Sequence, residues 1–282
     1  MQSIDRVAAL RALVAEWRSQ KQTIGFVPTM GNLHAGHRSL VARARARCDR
    51  VIVSIFVNPT QFAANEDFGD YPRTLEEDKH ILVEEGADAL FLPTVETLYP
   101  QGLEDTTKVI IAGLNNELCG AHRDGHFDGV LTVVNKFLNI LAPDILFLGE
   151  KDFQQLFVVR QMVAELMIPV EVVGVPTYRE DDGLAMSSRN RYLGESKREV
   201  ASALFKTLSE IKQSLLEGSN EFDELESKGR KKIKKAGFKP DYIEIRRQGD
   251  MKRAEPGDKE LVILGAGKLG KARLIDNITL NR

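Results

Sequence analysis

Cysteine is scarce in this chain: two residues in 282, Cys48 and Cys119, at no spacing that serves a metal or a redox pair. That excludes a disulfide framework and Cys-x-x-Cys chemistry, and it predicts reduced thiols in a cytoplasmic protein. Long apolar runs are missing too. None approaches the roughly 20 residues of a membrane span, and Arg6, Arg11, Glu16, Arg18 and Lys21 interrupt any leader-like stretch at the start. Excess charge of either sign is absent, since 39 Lys and Arg stand against 41 Asp and Glu for a formal net charge of −2. No basic footprint for nucleic acid remains, whereas acidic small molecules stay open because a local site can be basic in a near-neutral chain. Repeats and low-complexity segments are lacking. What is present is ordinary for a globular protein, 43% hydrophobic residues over a length that allows one large domain or two.

The patterning alternates strand and helix. Apolar residues Val7, Leu10, Leu13, Val14 and Trp17 predict a helix over 4–18. Strands are predicted at 23–27, 51–57, 87–92, near 109–112, at 145–148 and at 170–175. Helices are predicted from about 34 to 49, then over 74–85 and 130–141, and from the 145–148 strand to residue 167. This βαβ rhythm predicts an α/β fold with a Rossmann-like doubly wound parallel sheet over 1–176. The composition changes at Pro176. Beyond it, a polar loop at 178–191, helices at 196–217 and 222–236, and strands at 241–246, 260–264 and 273–280 predict a smaller α+β domain over 177–282 carrying an antiparallel sheet. Gly265, Gly267 and Gly270 match G-x-G-x-x-G after a strand, but only twelve residues follow. A dinucleotide fingerprint needs a helix, another strand and an acid about 20 residues on, so a hairpin is expected there.

The candidate site begins at 23–40, T-I-G-F-V-P-T-M-G-N-L-H-A-G-H-R-S-L. His34 and His37 lie three apart, which on one helix gives a shared face, and a helix start offers unpaired N–H groups and positive potential to a phosphate. A structural role for the pair remains open. A metal pair is disfavoured, because no Cys, Glu or third His stands nearby at ligand spacing. Asn58 and Gln61 follow the 51–57 strand, where open α/β sheets hold ligands; turn chemistry is the alternative for Asn58. Arg123 and His126 flank Gly125 before a helix. Lys151 sits at a strand-to-helix junction where its ammonium can reach a phosphoryl group, and Asp152 with Gln155 has capping-box spacing. Ser187, Ser188 and Arg189 suit anionic oxygens, or else simply cap a helix. The arginines at 38, 43, 45, 47 and 50 and the lysines of 228–235 read as solvated faces.

Taken together, P-T-M-G-N-L-H-A-G-H at 28–37, N-P-T-Q-F at 58–62, G-E-K-D-F-Q-Q at 149–155 and M-S-S-R-N at 186–190 resemble the pantothenate synthetase family, within the broader H-x-G-H nucleotidyltransferases. The resemblance spans most of the chain. It implies ATP-dependent condensation of pantoate with β-alanine through a pantoyl adenylate, with release of pyrophosphate and AMP, Mg²⁺ dependence and a homodimer. It implies that Met30, His34, His37, Gly149, Lys151, Asp152, Tyr178, Met186, Ser187, Ser188 and Arg189 bind ATP, with His37 catalytic and His34 and Lys151 acting on the phosphates. Gln61 and Gln155 would hold pantoate, and Gln61 also β-alanine. Two positions depart from the family pattern. Tyr178 replaces a small aliphatic residue, and Asp124 replaces the proline of R-P-G-H. The competing readings are another H-x-G-H enzyme, such as an adenylyltransferase or a truncated aminoacyl-tRNA synthetase, and a non-catalytic nucleotide-binding regulator.

Overall fold

A computed structural model describes residues 1–63 and 66–282, apart from the Asn115 side chain. It divides into two compact units, Met1–Glu150 with Gln154–Pro176, and Lys151–Phe153 with Thr177–Arg282. Among the described residues no helix is long and apolar enough to cross a membrane.

The first unit is built on six strands: β1 (Gln2–Ile4), β2 (Ile24–Thr29), β3 (Arg50–Ile55), β4 (Ala89–Phe91), β5 (Ile145–Gly149) and β6 (Glu171–Val175). They lie in the order β1-β4-β3-β2-β5-β6, all pairs parallel. Helices on both faces leave little of the central strands in water, and Phe26, Val27, Ile52 and Val53 are fully buried. Consecutive buried side chains of this kind are what a doubly covered parallel strand requires. From β2 the chain winds outward through β3 and β4, then crosses to β5 on the other side. The switch point therefore lies between β2 and β5, and ligands of open α/β sheets bind outside the carboxyl ends of such a strand pair.

Two local expectations need correction. Residues 109–112 form no strand; Ile110 is exposed, Val109 N–H donates to Thr132 Oγ1 at 3.0 Å, and no strand pairs with the segment. A short β-branched run without a ladder partner does not become a strand. Conversely, Gln2–Ile4 is a parallel edge strand on β4, and the helix begins only at Val7. Of the arginines read as a solvated face, Arg43, Arg45 and Arg47 are exposed as expected, and four of the five also make ion pairs. Arg38 bonds Glu84 and Glu85, Arg45 and Arg50 share Asp88, and Arg47 grips both oxygens of Glu171. Partly exposed pairs of this kind contribute about 0–1 kcal/mol each.

The second unit packs the helices Ala203–Leu216 and Phe222–Lys235 on an antiparallel sheet of β7 (Lys239–Arg247), β8 (Glu260–Leu269) and β9 (Ala272–Asn281), in that order. Leu204, Leu208, Ile211, Ile233, Ile243 and Ile263 form its core. The glycine triplet is a hairpin: Leu269 pairs with Ala272 and Gly270 takes φ +63°. Gly265 faces the helix so closely that a Cβ there would sit 2.8 Å from Leu204 Cδ1.

Candidate active site

At the carboxyl end of β2 the backbone turns through two positive-φ residues, Gly31 at +80° and Asn32 at +52°. Asp78, buried on the helix Leu75–Glu84, secures that turn by accepting the Asn32 and Leu33 N–H groups at 3.0 and 2.7 Å. Thr29 adds a second hold, its hydroxyl donating to Ser54 O at 2.8 Å and accepting Gly31 N–H at 3.2 Å. His34 follows as the N-cap of the helix Ala35–Arg45, with extended φ −143° and ψ 179°. It is thus outside the helix, so shared-face spacing is not what unites the histidines. A capping box does so instead. Gly36 N–H donates to His34 Nδ1 at 3.2 Å, His34 N–H donates to His37 Nδ1 at 3.3 Å, and the ring centroids stand 4.1 Å apart.

This geometry fixes the proton. A neutral imidazole has one donor and one acceptor nitrogen, and both Nδ1 atoms accept from backbone. Each neutral ring therefore carries its hydrogen on Nε2. The helix start also differs from expectation, because Gly36 N–H is consumed by the cap. The donors that this terminus could offer an anion are ring N–H groups in its positive potential.

Gln61 ends a single 3-10 turn, Pro59–Gln61, beyond β3. Its amide is held at both ends: Oε1 accepts Asn58 Nδ2 at 3.2 Å, and Nε2 reaches Met30 Sδ at 3.1 Å. Asn58 is buried, donates also to Gly129 O at 3.1 Å and accepts Tyr99 OH at 2.8 Å. Its side chain makes no cap bond to the turn, so turn chemistry is not its role; it bonds Gln61, Gly129 and Tyr99 instead. Gly129 lets the helix His126–Leu141 lie directly on this turn, since a Cβ there would collide with the Thr60 carbonyl. Gln155 is partly exposed on the helix Phe153–Glu165, whereas its neighbour Gln154 is turned inward on the backbone of Leu114, Glu117 and Cys119. Arg123 is buried and bonded to Glu66, while Asp124 is exposed. Neither cysteine is an evident nucleophile: both are buried, and burial pushes the Cys48 thiol up to about 11.

In the second unit, Lys151 and Ser187 line one small pocket with Asn190 and Asp276. Lys151 lies in the 3-10 turn Glu150–Asp152, its ammonium 3.7 Å from Asp152 Oδ1 and its carbonyl accepting Asn277 Nδ2 at 2.9 Å. Ser187 caps the 3-10 helix Ser188–Tyr192 by accepting Arg189 N–H at 3.2 Å, so the capping alternative also holds. That bond leaves the hydroxyl proton available as a donor. The segment before it is a tight hairpin: Tyr178 O accepts Met186 N–H at 2.9 Å and Glu180 O accepts Gly183 N–H at 2.8 Å. The Tyr178 side chain points to solvent, 47% exposed. Arg179 pins the hairpin to β9, giving 2.8 and 3.0 Å bonds to the two oxygens of buried Asp276. Burial raises the Asp276 pKa and Arg179 pulls it back. Arg198 holds Glu180 and Asp182 at 2.6 Å each.

Sequence reasoning missed Asp78, Glu66, Asp276 and Asn277. No local motif signals them, because each works on backbone or charge far away in the chain.

Comparison with known proteins agrees along the whole length. Residues 2–279 match the model of the pantoate-beta-alanine ligase family. A pantothenate synthetase of Pseudomonas aeruginosa (strain UCBPP-PA14) is 50% identical over 281 residues, covering 100% of this chain and 99% of its own. One from Alcanivorax borkumensis is 52% identical over 280 residues, covering 99% and 98%. Among solved structures, pantothenate synthetase from Thermus thermophilus superposes with a TM-score of 0.92 at 42% identity, over 99% of both chains. A Francisella tularensis pantoate-beta-alanine ligase, complexed with beta-gamma ATP and beta-alanine, gives 0.81 at 37% identity over 99% and 97%.

Proposed function

The chain belongs to the pantoate–β-alanine ligase family and condenses pantoate with β-alanine using ATP; we propose that the residues described above divide that work as follows. Pantoate's carboxylate attacks the α-phosphorus of ATP, forming pantoyl adenylate and releasing pyrophosphate. The β-alanine amine, once deprotonated, then attacks the acyl carbon and releases AMP. A carboxylate is already a nucleophile at neutral pH, so adenylation needs neither a serine nor a cysteine. It needs two anions brought together and charge on the departing pyrophosphate stabilised.

We assign His37 to that stabilisation, with its Nε2–H as the donor, and His34 beside it on the phosphates. Met30, Gly149, Asp152, Met186 and the Tyr178 backbone are assigned to ATP binding. Lys151, Ser187, Ser188 and Arg189 supply cations and hydroxyl donors to the phosphate chain. Gln61 and Gln155 are assigned to pantoate, since amides bond hydroxyl and carboxylate groups without charge repulsion, and Gln61 also to β-alanine. Among the described residues no three His, Cys, Asp or Glu side chains cluster to hold a metal. The donor set accordingly fits Mg²⁺ brought in on ATP, held largely by phosphate oxygens and water, where it would offset phosphate charge. A cytoplasmic homodimer completes the proposal.

The capping box is the observation that carries this reading, because it orders both imidazoles at one helix terminus. The test is to incubate the protein with MgATP and add pantoate and β-alanine singly and together. Pyrophosphate release is expected to require pantoate, and AMP with amide product to require both. Pyrophosphate release indifferent to pantoate overturns the proposal. Sedimentation at assay concentrations tests the dimer.

A further inference from the structure

Arg123 and His126 are not accounted for by the assignments above, yet both are buried against the turn that carries Gln61. Arg123 grips Glu66 through Nε at 2.6 Å and Nη2 at 2.8 Å, and its Nη1 lies 2.7 Å from His126 Nε2. A guanidinium has only donors. His126 Nε2 is therefore the acceptor, and the ring hydrogen sits on Nδ1. That nitrogen lies 2.8 Å from the Gln61 carbonyl, to which it must donate. Glu66 orients and neutralises Arg123, Arg123 sets the tautomer of His126, and His126 holds the Gln61 carbonyl at 2.8 Å, to which Arg123 Nη2 adds only a long 3.4 Å contact. The turn needs such a hold. Of its two closing bonds, Gln61 N–H to Asn58 O is 3.4 Å long, outside the usual 2.7–3.2 Å range, and Phe62 N–H to Pro59 O is 3.2 Å, at the edge of it.

We propose that His126 is a positioning residue for the pantoate and β-alanine site: it fixes the Gln61 backbone while Asn58 and Met30 fix the Gln61 amide. The proposal rests on the assignment of Gln61 to those two substrates. It assigns no contact between His126 and substrate, so the expected signature is a selective one.

Two isosteres separate the ring nitrogens. His126→Asn places an amide N–H near Nδ1 and loses the Nε2 acceptor. His126→Gln reaches toward Nε2 and loses the donor to Gln61. A purely structural role predicts equal damage from both or greater damage from Asn, which deprives the Arg123 guanidinium of its acceptor. The positioning role predicts the reverse for substrate use. In His126→Gln the KM for pantoate and for β-alanine is expected to rise about tenfold, the scale of one hydrogen bond lost. The KM for ATP stays within about twofold, and His126→Asn stays near the parent value for all three. Equal pantoate KM values in the two variants, or a matching rise in the KM for ATP, overturn the proposal. Thermal melting of both variants establishes that each is folded, and His126→Leu repeats the loss of donor if Gln proves unstable. Gln61→Ala is the separate control. If it leaves pantoate KM unchanged, the assignment of Gln61 fails and the proposal with it. If it raises pantoate KM while His126→Gln does not, the proposal alone fails.

Discussion

The turn that leads into His34 and the segment that leads into Ser187 are both short polar connections, yet they are held in different ways. Before His34, backbone N–H groups of Asn32 and Leu33 run into one buried carboxylate, and the histidines cap their own helix. Before Ser187, a hairpin is pinned by ion pairs, Arg179 to Asp276 on β9 and Arg198 to Glu180 and Asp182. Hydrogen bonds from backbone to side chain fix the first region residue by residue. Long side chains fix the second at its flanks and leave Ser188 and Arg189 on a single 3-10 helix. A scaffold of the first kind suits a donor that must be aimed, and one of the second kind suits groups that must gather around a charged chain.

The comparison can be tested at its centre first. His37→Ala, beside the first region, and Lys151→Ala, in the turn that lines a pocket with Ser187 of the second, are each expected to slow single-turnover pyrophosphate release by on the order of 10²-fold or more. Full adenylation by Lys151→Ala would remove Lys151 from the phosphate chemistry. Next is Asp276→Ala, which strands the Arg179 guanidinium. It is expected to cost about 3 kcal/mol, read by urea unfolding, and to speed amide exchange across 179–189 before 31–37. Uniform exchange in both regions would erase the distinction. Asp78→Ala is expected to cost about 2 kcal/mol by leaving two buried N–H groups without their acceptor, and to speed exchange at Asn32 and Leu33 specifically. The smallest effect is expected at Tyr178→Val. The side chain is exposed and the Tyr178 carbonyl bond to Met186 survives, so ATP KM stays within about twofold; a larger change would assign the ring itself to binding.

These two modes of support also explain what can be read from residues alone. The parallel sheet is legible because buried strands such as 51–57 carry continuous apolar runs, and the histidine loop because its parts lie within a dozen residues. The 109–112 segment misleads because its apolar residues mimic a strand, while the absence of a pairing partner is not a local property. Edge strand Gln2–Ile4 is too short to show alternation. His34 reads as part of a helix face because spacing cannot distinguish an N-cap from a first turn. Asp78 contacts backbone 45 and 46 residues away, Glu66 reaches Arg123 across 57, and Asp276 reaches Arg179 across 97. An acidic residue gives no sign in its own neighbourhood that it serves so remote a partner.

The bond between Arg179 and Asp276 also has a bearing on time. The ribosome adds roughly 5–20 residues per second, so Arg179 is made about 5–20 s before the carboxylate 97 positions downstream exists. Through that interval the 179–185 hairpin has neither of its β9 anchors, the Asp276 carboxylate and the Asn277 carbonyl that accepts Arg179 Nη2 at 3.3 Å. The first unit can fold while the second is being synthesised, but the Ser187 segment acquires its final support only when one of the last strands to be synthesised arrives. A pause in translation anywhere between the two residues prolongs that unsupported state.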